Sequence, residues 1–168
     1  GVSELVQLRH SQSALEHSFS LTPRHSIVLQ GEAASVRIHK DPPQIFLRGV
    51  SGNDDDAVRS DFVLVRLNSL GQRREATKTA SDEVAAAGKD KRKKLQSADV
   101  IELTQQRVAA TDWYRLSPKD SLEQGEYALV PIPKTPAAEL GELYDFAIDL
   151  HAPENHQVLR SEKDRRIE

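Results

Sequence analysis

The sequence predicts an all-β domain, an immunoglobulin-like Greek-key β-sandwich with a tyrosine corner and one long charged insertion. Three observations predict it. Leu122, Gly125 and Tyr127 are spaced as L-x-x-G-x-Y directly ahead of the apolar run Ala128-Leu129-Val130; in a tyrosine corner the Tyr hydroxyl bonds to backbone a few residues upstream and pins the arch between two sheets. Short apolar stretches bounded by Gly, Pro and Asp turns recur along the chain, roughly eight to ten of them, at spacings typical of a sandwich. No strand–helix–strand rhythm and no repeat of fixed period competes with this reading.

Taken in order, Leu5, Val6, Leu8 and then Ser18–Leu21 alternate like strands, with a short helix as the alternative for the first segment. Ser26–Gln30 reads as a strand ended by Gly31-Glu32, and Ala34–Lys40 alternates Val36 and Ile38 against Arg37 and His39. Asp41-Pro42-Pro43 breaks that strand, because proline lacks the ladder donor and restricts its predecessor. Gln44–Val50 follows as a strand and Ser51–Ser60 as an acidic turn. Asp61–Leu70 is apolar on both faces through Val65, as expected inside a sandwich, and Arg73–Thr79 reads as a polar strand at a sheet edge.

The composition shifts over residues 80–98, the insertion. Ser81 and Asp82 could cap a short helix over Glu83–Ala87, with Gly88 stopping it. Asp99–Thr104 and Gln106–Leu116 resume β character. Glu126–Ile132 sets Tyr127 and Leu129 on one face, with Ala128 and Val130 on the other. Leu143–Leu150 alternates most cleanly, with Tyr144, Phe146, Ile148 and Leu150 inward and Asp145 and Asp149 outward. The domain is expected to span residues 1–150, with a polar tail over 151–168.

Among 168 residues the formal net charge is −3, so no global field favours nucleic acid or an anionic membrane. Cysteine is absent, which removes disulfides, thiolate nucleophiles and thiolate metal sites together. The apolar runs are far shorter than the roughly 20 residues of a membrane helix, so no span is expected. The chain opens Gly-Val-Ser and contains no Met, and reads as an excised or processed fragment.

The corner residues are structural. The best metal candidate is Asn53, Asp54, Asp55 and Asp56 with Asp61 nearby, hard oxygen ligands that would suit calcium; the D-x-[DN]-x-[DN]-G pattern is absent, and a solvated acidic turn is the default. Lys89–Lys94 holds five bases and one acid but no interleaved aromatic to stack a nucleotide base, so it reads as a solvated loop and no specific nucleic-acid binding is expected. The six histidines (His10, His17, His25, His39, His151 and His156) show no ligand spacing. Asp145 and Asp149 stand about 13 Å apart on a strand rising about 3.3 Å per residue, too far for a carboxylate dyad, and read as outward polar positions on an edge strand. Trp113 and Tyr114 are expected in the core; exposed, they would make an aromatic platform for a sugar ring or a partner chain. No nucleophile elbow, P-loop or dinucleotide fingerprint occurs.

The stretches SIVLQGEAASVRIHKDPPQIFLRG, DFVLVRL and LEQGEYALVPIP with LYDFAIDL resemble bacterial extracytoplasmic β-sandwich domains of unknown function, in which a strand ending in Gly and an L-x-P-G-E-Y-A-L segment recur. Here Gln124 stands where proline is usual. The resemblance implies a periplasmic, cell-surface or secreted location and brings no catalytic residues. The expected function is a non-enzymatic structural or protein-interaction module, with no cofactor. The rivals are a carbohydrate- or calcium-dependent binding sandwich, and an enzyme whose site is gathered from distant loops.

Overall fold

The computed structural model describes residues 10–11, 13–15, 26–39, 42–48, 62–87, 96–132, 143–153 and 155. Among them the chain is mostly β with one short helix. The elements are β1 (His10–Ser11), β2 (Ser13–Leu15), β3 (Ile27–Gln30), β4 (Arg37–Ile38), β5 (Ile45–Arg48), β6 (Phe62–Leu70), β7 (Arg73–Ala76), α1 (Lys78–Ala87), β8 (Val100–Arg107), β9 (Trp113–Pro118), β10 (Gly125–Pro131) and β11 (Leu143–Ile148).

The strands run β1-β11-β10-β6-β7-β3-β2, each neighbour antiparallel. One residue separates β1 from β2, yet they pair with opposite ends of this run. The sheet therefore curls until its two edges meet on a single stretch of chain. It is mixed, because β4 runs parallel to the second half of β11. β8 leaves the curl: Val100–Glu102 pair with β6, whereas Leu103–Arg107 pair with β9, which in turn pairs with β5.

Two apolar clusters occupy opposite faces of the central strands. On one face Val63, Val65, Ala128, Val130 and Leu143 meet Ile27, Leu29 and the α1 side chains Ala80 and Val84. On the other, Leu64, Tyr127, Leu129, Phe146 and Ile148 meet Ile45 of β5 and Leu116 of β9. The double-sided apolarity of Phe62–Val65 is thus used on both sides. A strand buried on both faces reads as a continuous apolar run.

The helix is longer and more deeply packed than the composition of the insertion suggested. It begins at Lys78, not Glu83. Its cap is Thr77, whose Oγ1 accepts the Ala80 N–H at 3.3 Å and donates to Asp99 at 2.8 Å. Ser81, expected as the cap, is buried inside the helix, donating to the Thr77 carbonyl and accepting the Ile27 N–H. Ala80, Ser81, Val84 and Ala87 of α1 are buried, so the first part of the expected insertion contributes to the core. Lys89–Lys94 lies outside the described residues.

Four further expectations change. Arg73–Thr79 is not an edge, because β7 lies between β6 and β3. Nor is β11, which has β10 on one side and β1 and β4 on the other. The apolar-polar stretch Ala34–Lys40 yields only the two-residue β4. Gln106–Leu116 is split by a turn in which Ala110 takes φ 58°; among the described residues it is the only non-glycine with positive φ, and no Gly or Asn marks it in the sequence.

Candidate functional site

Among the described residues two places gather polar or exposed aromatic side chains: a buried charge network in the curled sheet and the outward face of the β5-β9-β8 sheet. The corner stands at the start of β10. The Tyr127 hydroxyl donates to the Glu123 carbonyl at 2.8 Å. Gly125 takes φ 152°, a conformation that residues with a Cβ rarely adopt. Arg66, opposite Tyr127 in the β6–β10 register, donates to the Glu123 carboxylate at 2.6 Å. That hydrogen bond is the main cause holding the Arg66 pKa above its ordinary value. Tyr127→Phe is expected to lower stability by about 1 kcal/mol, the net worth of one such bond, as a fall in the urea midpoint at unchanged m-value.

The buried network was not legible in the sequence. Asp145, expected outward, is 6% exposed, and Arg74, read as part of a polar edge, is 2% exposed. Arg74 Nη1 donates to Asp145 Oδ2 at 2.6 Å and to Glu126 Oε2 at 3.1 Å. Its Nε and Nη2 donate to the Gly31 and Gln30 carbonyls at 3.0 and 3.3 Å. Glu126 also accepts the Ala34 N–H at 2.7 Å and the Arg37 guanidinium at 2.9 Å. Arg37 in turn is fixed by Asn155, which accepts its N–H at 2.8 Å and donates to its carbonyl at 2.6 Å. Two guanidinium groups face two carboxylates, so the group is formally neutral. Among the described residues no buried side-chain polar atom lacks a partner. A network so completely paired joins β3, β4, β7, β10 and β11 through the interior.

The second place involves Trp113. It is not in the core: it is 40% exposed, and Tyr114 is half-buried on the opposite face of β9. Phe46 is also 40% exposed. The register pairs Phe46 with Arg115, and Arg115 with Gln106. Arg115 therefore has Phe46 on one side, Gln106 on the other, and Trp113 and Ser117 two residues away on its own strand, all on one face. Its guanidinium donates to the Gln106 side-chain oxygen. The inward partners Ile45 and Leu116 are buried.

The remaining sequence candidates are not brought together. Asn53, Asp54, Asp55 and Asp56 lie outside the described residues, as do His17, His25 and His156. His39 is hydrogen-bonded to the Ala152 carbonyl at 3.1 Å, and His151 is exposed. Leu150, expected inward, is 50% exposed. Among the described residues no three His, Cys, Asp or Glu side chains are grouped to hold a metal ion, and no helix is long and apolar enough to cross a membrane. No family model, curated protein or solved structure matches the chain, so the reading of this site rests on its own geometry.

Proposed function

We propose that this chain is a non-enzymatic protein-interaction module of a bacterial cell-envelope or secreted protein, built as an immunoglobulin-like sandwich. Three features support the fold reading. The bonded corner precedes the penultimate strand. The set β11-β10-β6 shares an apolar cluster with β5-β9-β8. The short β4 runs parallel to the last strand. The observation that carries the function is the exposed pair Phe46 and Trp113 around Arg115 on the outward face of the smaller sheet. Trp and Arg are enriched among residues that dominate binding energy at protein interfaces. The resemblance to extracytoplasmic sandwich domains supports the location.

A thermal-shift series tests this against its rivals. Ca²⁺, chelator and a panel of neutral glycans are expected to leave the melting temperature unchanged. Phe46 replaced by a photo-crosslinking benzoylphenylalanine is expected to form a discrete protein adduct in an envelope fraction, and Trp113→Ser should abolish it. A dose-dependent rise with calcium or a glycan would replace this reading with the ligand-binding one, since a ligand that binds only the native state stabilises it. Trp113 exposed on the outward face of the smaller sheet is what would favour a sugar in that case.

A further inference from the structure

We infer that the partner of this face is an acidic, extended protein segment whose carboxylate docks on Arg115 between Phe46 and Trp113. The inference rests on the interaction reading above and adds the partner's chemistry.

Charge complementarity carries it. Among the described residues Arg115 pairs with no carboxylate; its bond is to the neutral amide oxygen of Gln106. The acidic side chain that shares this face on β8, Glu102, is already paired with Lys119. Among the described residues the centre of the face thus holds the un-neutralised charge of Arg115 beside the exposed Phe46 and Trp113. Arg74 and Arg37, by contrast, are neutralised by carboxylates within the fold. Arg115 is oriented without being neutralised. Anchoring by Gln106 limits the rotamer freedom it would lose on binding, and its planar fork accepts a carboxylate through two parallel hydrogen bonds.

The flanking geometry selects an extended chain. Trp113 and Arg115 are two residues apart on one strand, about 7 Å at the rise of a β-strand. Phe46 lies across from Arg115 and diagonal to Trp113, about 7–8 Å from the latter. An extended peptide repeats its side chains at the same interval, so an acid with apolar residues two positions away meets Arg115 and both aromatics together. A nucleic acid would need several basic side chains tracking its phosphate backbone, and among the described residues this face offers it only Arg115 without a carboxylate partner. A uronate polysaccharide shares the carboxylate and is separated by the test.

Trp113 is the sole tryptophan, so its emission reports directly on this face. The full chain is titrated with a random Glu/Tyr copolymer, with polylysine and with polygalacturonate. The copolymer is expected to shift Trp113 emission to shorter wavelength in a saturable way that high salt weakens, while polylysine and polygalacturonate leave it unchanged. Arg115→Gln, which removes a solvent-facing charge and leaves the core intact, should weaken copolymer binding about tenfold. Arg115→Lys should restore only part, because the bidentate geometry is lost. Equal copolymer affinity in the wild type and Arg115→Gln overturns the inference, and so does a response to polygalacturonate alone. A face that crosslinks a protein through position 46 but ignores the copolymer overturns the acidic specificity only; a face that does neither fails the interaction reading as well.

Discussion

Replacing Arg74 with methionine should destabilise the protein by about 3–5 kcal/mol, the range for breaking a buried ion pair by removing one member. Arg74 is the hub of the network: one nitrogen serves both Asp145 and Glu126, and the others cap the Gln30 and Gly31 carbonyls. Methionine fills much of the space but leaves two carboxylates, with side chains 7% and 10% exposed, facing a thioether. Arg37 still reaches Glu126, so that carboxylate keeps one of its charged partners. Urea denaturation measures this as a fall in midpoint at constant m-value. The triple variant Arg74→Met, Glu126→Gln, Asp145→Leu should recover a large part of the loss, because replacing a whole buried ionic group with well-packed side chains is often neutral or stabilising. A single-variant cost below about 1 kcal/mol would mean that water reaches these carboxylates and that the group is an ordinary surface cluster.

Phe146→Ala should cost about 3–5 kcal/mol, the range for emptying a large aromatic site in a core. Phe146 is 0% exposed and lies in the cluster shared by β10, β11, β5 and β9. Its ring stacks on Tyr127 with centroids 5.9 Å apart and planes at 22°. Truncation opens a cavity beside the corner, so the Tyr127 ring loses its support while its hydroxyl bond to Glu123 is stretched free. Combining Phe146→Ala with Tyr127→Phe should therefore cost less than the sum of the single changes, as expected for residues in contact. Phe146→Leu, which keeps most of the volume, should lose much less. Strict additivity would show that the stacked pair and the hydroxyl bond act independently.

The strand pattern and the corner were legible because both are local. Alternation along Glu126–Ile132 puts Tyr127 and Leu129 opposite Ala128 and Val130, and the two clusters divide them in that way. The corner needs only a Tyr, a Gly and their spacing, and the bond to Glu123 lies four residues away. Trp113 was misplaced because an aromatic in a strand reads as buried unless one knows that its outward neighbours remain uncovered.

What the sequence by itself determined is the β character of the chain, the position of the corner and the absence of thiol chemistry, since each depends on residue type and near-neighbour spacing. The tertiary structure decided which polar side chains are interior. Alternation in β11 separates Asp145 from Phe146 but cannot say that both faces are covered, because the cover on the Asp145 side comes from Arg74, 71 residues away. It likewise decided that Ala80 and Val84 fill a core and that Phe46, Arg115 and Trp113 share one open face. Burial and charge pairing are properties of the space between distant segments, and no short window of residues contains that space.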